Sequence, residues 1–174
     1  MKAFPVALLS SAVLLAQVAL AQSSSHQPTT AQLLGTWELV SVTDTVDGKE
    51  VVSGRYGTHP FGYLMYEPDG HMCATLGDGD RARALKNAPK PTEAEKAAYS
   101  DFFVAYCGTF KLDADKSTVY HYPTIALSPE DIGATFPRPF RLKDDQLIIT
   151  ATQGISAGVQ RRVLVWRRAK GTSQ

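Results

Sequence analysis

Turn chemistry recurs along this chain at the spacing of β-hairpins, and that cadence narrows the fold more than any other feature. Asp47-Gly48, Pro68-Asp69-Gly70, Asp113-Ala114-Asp115-Lys116 and Lys143-Asp144-Asp145-Gln146 each separate two short runs rich in apolar and β-branched residues. Such residues accept the positive φ or the tight reversal that a short antiparallel connection needs. Between them, Thr36 to Val42 carries Trp37, Leu39 and Val40 in partial alternation. Gly62 to Tyr66 and His71 to Leu76 form a hairpin with Met72, Ala74 and Leu76 on one face. Tyr106 to Leu112 sets Tyr106, Gly108, Phe110 and Leu112 against Cys107, Thr109 and Lys111. Alternation of this kind marks strands with one face buried. Ser117 to Tyr122, a short run Thr124 to Leu127, Pro139 to Leu142, Leu147 to Ala151 and Gln160 to Arg167 complete the expected strands.

The middle of the chain departs from this rhythm. Gly77 to Pro91 is polar and reads as a loop. Thr92-Glu93-Ala94-Glu95 then forms a capping box, and Ala94, Ala98 and Phe102 recur every fourth residue. One short α-helix of about three turns is expected there, ending before Cys107-Gly108. Many short strands around one inserted helix point to an all-β, antiparallel up-and-down barrel, or else a sandwich. In a barrel the first and last strands must pair. Trp37 on the first and Arg167 and Arg168 on the last then invite an arginine–indole stack worth roughly 1 kcal/mol. Ordinary core packing of Trp37 beneath solvated arginines fits the same residues.

The N-terminus sets an expected compartment. Lys2, an apolar stretch from Val6 to Leu15 and Ala19-Leu20-Ala21 form a signal peptide over residues 1–21, with cleavage before Gln22. The apolar stretch falls short of the ~20 residues of a membrane-spanning helix. A flexible leader over 22–32, a barrel domain over 33–170 and a tail over 171–174 are expected to follow. The product is read as secreted, extracellular or periplasmic, with no integral membrane segment. Cleavage removes Lys2 and no acid, leaving 17 basic against 17 acidic residues, which gives no reason to expect a nucleic-acid partner. The cluster Arg161, Arg162, Arg167 and Arg168 reads as the charged ends of a solvated strand. Cys73 and Cys107 lie in apolar strand-like runs, where two buried free thiols are expected in preference to one disulfide.

The chain resembles the bacterial and fungal lipocalin-like domain proteins, a family of small calycin-type β-barrels. Leu34-Gly35-Thr36-Trp37-Glu38-Leu39-Val40-Ser41 opens the matching pattern. Gly62-Tyr63-Leu64-Met65-Tyr66 with Asp69-Gly70-His71-Met72 continues it, then Ala105-Tyr106-Cys107-Gly108-Thr109-Phe110 and Val119-Tyr120-His121. Arg138 ahead of Phe140-Arg141-Leu142, and Leu164-Val165-Trp166-Arg167-Arg168, complete it. The resemblance implies an eight-stranded or similar barrel around a cavity. It also implies a choice of roles, since some members look like isomerases or cyclases of natural-product pathways and many have no assigned activity.

No nucleophile elbow, zinc-protease helix or phosphate-binding loop occurs in the sequence. His26, His59, His71 and His121 lack metal-ligand spacing, so neither metal nor cofactor is expected. The candidate ligand-binding residues are Tyr66, His71, Tyr106, His121 and Arg138. Tyr66 and His71 flank one turn and are expected on the same side. His121, Tyr106 and Arg138 have the chemistry to bind a carboxylate or enolate, or to move a proton. Each also has a plain structural reading: tyrosines as packing residues, His121 as a satisfied core histidine, Arg138 paired with Glu130, Asp131 or a loop carbonyl. The leading expectation is a secreted protein that binds a small hydrophobic or amphipathic molecule. A cofactor-independent isomerase or cyclase using the same cavity is the alternative, with a purely structural secreted barrel third.

Overall fold

Asp47 and Gly48 both take positive φ, 49° and 74°, the conformation a two-residue hairpin turn demands. The structure, a computed structural model, describes residues 27–171. The expected signal segment, the first part of the leader and residues 172–174 lie outside the described residues. In chain order the elements are α1 (Thr30–Leu33), β1 (Gly35–Val46), β2 (Lys49–Val52), β3 (Pro60–Tyr66), β4 (His71–Asp78), α2 (Gly79–Asn87), α3 (Glu93–Ser100), β5 (Phe103–Asp113), β6 (Thr118–Ala126), β7 (Phe136–Lys143), β8 (Gln146–Ala151) and β9 (Arg161–Arg168). Each expected turn joins the strands on either side of it. Asp144, at φ 55°, turns β7 into β8 just as Asp47 turns β1 into β2.

Each strand from β3 to β9 pairs antiparallel with the next, and β1 closes the sheet by pairing with both β3 and β9. Eight strands thus form a closed up-and-down barrel, as the turn cadence and the resemblance implied. The short β2 is an extra ribbon. β1 gives its first half to β3 and its second half to β2, while its other edge runs along β9 for nearly its whole length. The partial alternation of β1 has a local cause. A bulge between Leu39 and Ser41 shifts the phase, so Trp37 and Leu39 point inward before it and Val42 and Asp44 after it.

One end of the barrel is filled. Leu33, Trp37, Tyr66, Met72, Val119 and Leu147 are all buried there. The Trp37 indole N–H donates to the Leu33 carbonyl at 2.8 Å. Arg168 lies over the Trp37 ring, its Cζ 4.0 Å from the centroid, and donates to the carbonyls of Gln32 and Leu34. The arginine–indole stack is therefore present, and α1, where the leader was expected still to be flexible, is strapped across the barrel base. The opposite end is framed by residues 53–59, by α2 and α3, and by the loops preceding β7 and β9.

Four expectations about the fold need correction. Gly79–Asn87 is a helix where a loop was expected. Asp78 caps it, its carboxylate accepting from the backbone N–H groups of Asp80 and Arg81, but its residues are so polar that no apolar stripe marks it. The helix after the capping box ends at Ser100, shorter than three turns, and Phe102 instead lies beneath the Arg81 guanidinium of α2 at 3.7 Å. Cys73 and Cys107 form a disulfide rather than two buried thiols. They stand opposite one another in the β4–β5 ladder, on the outer, half-exposed face that alternation assigns to them once Met72, Ala74 and Tyr106, Gly108 face inward. The run Thr124–Leu127 is also no separate strand: its first residues continue β6 past a bulge at Cys107/Gly108. Glycine is required at that bulge, since a Cβ on Gly108 would lie 2.0 Å from the Tyr122 carbonyl oxygen.

Candidate functional site

Above the filled base the barrel encloses a cavity of about 310 Å³, at the lower end of the range for small-molecule pockets. Alternation along the strands decides what lines it. Leu64, Ala74, Leu76, Ile149 and Leu164 give it apolar walls, and Tyr106, His121, Arg138, Arg162 and Trp166 give it polar groups.

Tyr66, Tyr106 and His121 form one hydrogen-bonded chain. The Tyr66 hydroxyl lies 2.7 Å from His121 Nε2, and the Tyr106 hydroxyl lies 2.9 Å from Nδ1. All three side chains are buried, with Tyr66 behind the histidine and Tyr106 on the cavity wall. Burial, and after it the Arg138 charge, holds the His121 imidazole well below its ordinary value, so it is neutral. Burial likewise raises both tyrosine hydroxyls, and the Arg138 guanidinium offsets part of the rise at Tyr106.

A neutral imidazole has one N–H and one acceptor nitrogen, so one tyrosine donates to the ring and the other accepts from it. Tyr66 has no other hydrogen-bond acceptor among the described residues. Were it to accept from His121, its own O–H would be left buried and unpaired, at a cost of about 1–3 kcal/mol. Tyr66 therefore donates to Nε2, Nδ1–H donates to the Tyr106 oxygen, and the Tyr106 O–H is left to point at the cavity.

Arg138, on β7 and 7% exposed, donates through Nη1 to the carbonyls of Pro137 and Gln153 and stacks on Phe136. It meets loop carbonyls, one of its expected partners, and no carboxylate lies within ion-pair distance of it among the described residues. Arg162 contrasts with it. Asp44 accepts from both its Nε and its Nη2, at 2.6 and 2.9 Å, and Ser53 donates to the same carboxylate at 2.6 Å. Its charge is thus matched inside the barrel. Arg161 and Arg167 are exposed and pair at the surface with Glu50 and Glu38, as charged strand ends do, so within the basic cluster it is the buried Arg162 that departs from the expectation.

Of the five residues expected in the site, the structure brings Tyr66, Tyr106, His121 and Arg138 together and leaves His71 out. The backbone N–H of Glu67 donates to the His71 carbonyl and Tyr66 pairs with Met72, so His71 falls on the outer face, exposed and paired with Asp69. Sequence reasoning missed Trp166 as a site residue. It is 2% exposed and lines the cavity, and its indole Nε1 has no hydrogen-bond partner. The alternation Arg162, Leu164, Trp166 along β9 was the available signal. Arg55 and Tyr56, which join the lining from the loop after β2, carried no such pattern. Among the described residues no group of His, Cys, Asp and Glu is arranged to hold a metal ion.

No curated protein matches the chain. The lipocalin-like domain profile matches residues 34–169, which span every strand of the barrel and all the residues of the cavity, and the chain belongs to the lipocalin-like domain family.

Proposed function

We propose that this protein is exported and binds a small amphipathic molecule inside its barrel. The observation that carries the binding reading is a cavity of about 310 Å³ with apolar walls and buried polar groups that lack a complete set of protein partners. A barrel interior that served only as core would be filled at this level, as it is at the base. Export is supported by the N-terminal pattern of Lys2, the apolar stretch and Ala19-Leu20-Ala21, and by a disulfide of the sort that persists in oxidising compartments.

The isomerase or cyclase reading is weaker on the same geometry. Both ring nitrogens of His121 are taken by tyrosines, so the histidine reaches a ligand only through Tyr106. That hydroxyl is pushed upward by burial and stays protonated, a group suited to holding an oxygen atom rather than removing a proton.

The test is mass spectrometry of protein purified from its native host, first intact and then denatured with solvent extraction, beside fluorescence titration with the neutral probe N-phenylnaphthylamine. A stoichiometric small molecule on extraction, or saturable probe binding to the empty barrel, is the expected result. A protein that carries nothing and does not take up the probe would be a filled structural barrel. N-terminal sequencing of the same sample is expected to begin at Gln22.

A further inference from the structure

The cavity lining carries donors on Arg138, Trp166 and Tyr106, while its carboxylates, Glu130 and Asp131, lie outside ion-pair distance of Arg138, and that arrangement points to the head group of its ligand. We infer that the barrel receives an amphiphile headed by an oxyanion, a carboxylate or enolate, its head group held by Arg138, the Trp166 indole N–H and the Tyr106 hydroxyl. The inference rests on the binding reading above and specifies its chemistry.

Three independent features converge on it. Trp166 Nε1 is a buried donor with no partner, and a buried donor left unpaired costs about 1–3 kcal/mol, which a ligand oxygen would recover. Arg138 is a buried cation whose Nη1 is held by two carbonyls and which faces no carboxylate at ion-pair distance among the described residues. The hydrogen-bond order along Tyr66, His121 and Tyr106 directs the Tyr106 O–H into the cavity, because the reverse order orphans Tyr66. His121 is occupied on both nitrogens and so offers no acceptor.

The remaining charged groups of the lining do not cancel Arg138. Arg162 is neutralised by Asp44. Glu130 and Asp131 lie in the 3-10 turn before β7, where Arg55 borders the same surface pocket as Glu130. Asp131 feels the Arg138 charge from beyond ion-pair distance. A carboxylate accepts through two oxygens with about four lone-pair sites, which suits three donors. An alcohol or amide carries no negative charge to match Arg138, and a cation would be repelled by it. The apolar walls then take the body of the molecule.

Decanoate and decanol form a matched pair for the test, titrated into the mature protein with tryptophan fluorescence and calorimetry as readouts. Decanoate is expected to bind at least roughly tenfold more tightly than decanol. In Arg138→Met that preference should vanish with decanol affinity retained, and Tyr106→Phe should shrink it. Arg138→Lys, which keeps the charge but not the fork of donors, should hold part of it. Equal affinities for acid and alcohol in the wild type, or a preference that survives Arg138→Met in a protein with wild-type circular dichroism, would overturn the head-group assignment. If N-phenylnaphthylamine still binds in that case, the barrel remains a binding protein of different specificity. If neither amphiphile nor the neutral probe binds, the binding reading falls with the inference.

Discussion

His121 carries no charge in the folded protein, and this has a consequence that pH reveals. Burial, followed by the Arg138 charge, holds its imidazole well below the ordinary 6.5, so an unfolded chain takes up a proton in a range where the folded chain does not. Stability is therefore full above about pH 6.5 and falls as the pH drops beneath it, by up to about 1.4 kcal/mol per pH unit from this residue alone. His121→Gln, which can accept from Tyr66 and donate to Tyr106, is expected to flatten urea-unfolding stability between about pH 6.5 and pH 5. Parallel profiles for variant and wild type there would mean that the folded histidine takes up its proton over the same range as the unfolded one. Asp44 works in a lower window. Burial raises its carboxyl, but the Arg162 and Ser53 hydrogen bonds outweigh that and leave it below its ordinary 3.8, so its contribution is lost only as the pH falls past about that value. Asp44→Ala strands the Arg162 guanidinium inside the barrel, and a loss of about 3–5 kcal/mol is expected from equilibrium unfolding at neutral pH. At this scale the sequence was informative wherever strand parity decided the outcome: Tyr106, His121 and Arg138 face inward because their neighbours alternate. It misled at His71, whose side depends on whether three or four residues make the turn after Tyr66. It was silent on the Tyr66–His121–Tyr106 chain, which joins residues 55 and 15 positions apart.

Among the elements, the β4–β5 connection stands apart because it holds the two α-helices α2 and α3. The Cys73–Cys107 disulfide spans this insertion, a separation of 34 residues, and fixes the register of the two strands on either side of it. Closing a loop of that length restricts the unfolded chain by about 3–4 kcal/mol in the chain-entropy account. Cys73→Ser with Cys107→Ser is expected to cost about 2–4 kcal/mol, read as a lower urea midpoint, and reductant should lower the wild type to the same level. A midpoint insensitive to both would mean that the bridge does not form in solution. Legibility follows the same division. The strands were readable because their turns require particular residues, Asp47-Gly48 and Asp144 above all. The helix α2 was hidden because its signals are a cap at Asp78 and a run of good helix formers, with a neighbouring Gly77 and Gly79 that look like turn residues. The disulfide was legible only through parity, since Cys73 lies between inward Met72 and Ala74 and must therefore face out.

At the scale of the whole molecule, closure and the cavity occupy opposite ends of one barrel. Closure depends on β1 meeting β9, and the contact that finishes it is Arg168, stacked on Trp37 and donating to the carbonyls of Gln32 and Leu34. Through those carbonyls the last strand holds α1, and with it Leu33, which is wholly buried beneath the barrel. The cavity lies toward the other end, framed by Tyr56, Val104 and Phe136. Arg168→Met removes a cation–π contact of about 0.5–1 kcal/mol at an exposed site and two hydrogen bonds from a charged donor, each worth about 1.5–3 kcal/mol at most and less where water competes. A total loss of about 1–3 kcal/mol is expected, seen as a lower urea midpoint and as faster amide exchange through Leu33 and Trp37. Probe affinity at temperatures where the variant is folded should match the wild type, because the strands between the two ends keep their pairing. If Arg168→Met weakened binding in proportion to stability, the barrel would be responding as a single unit, and the walls of the cavity would owe their shape to the plug at its base.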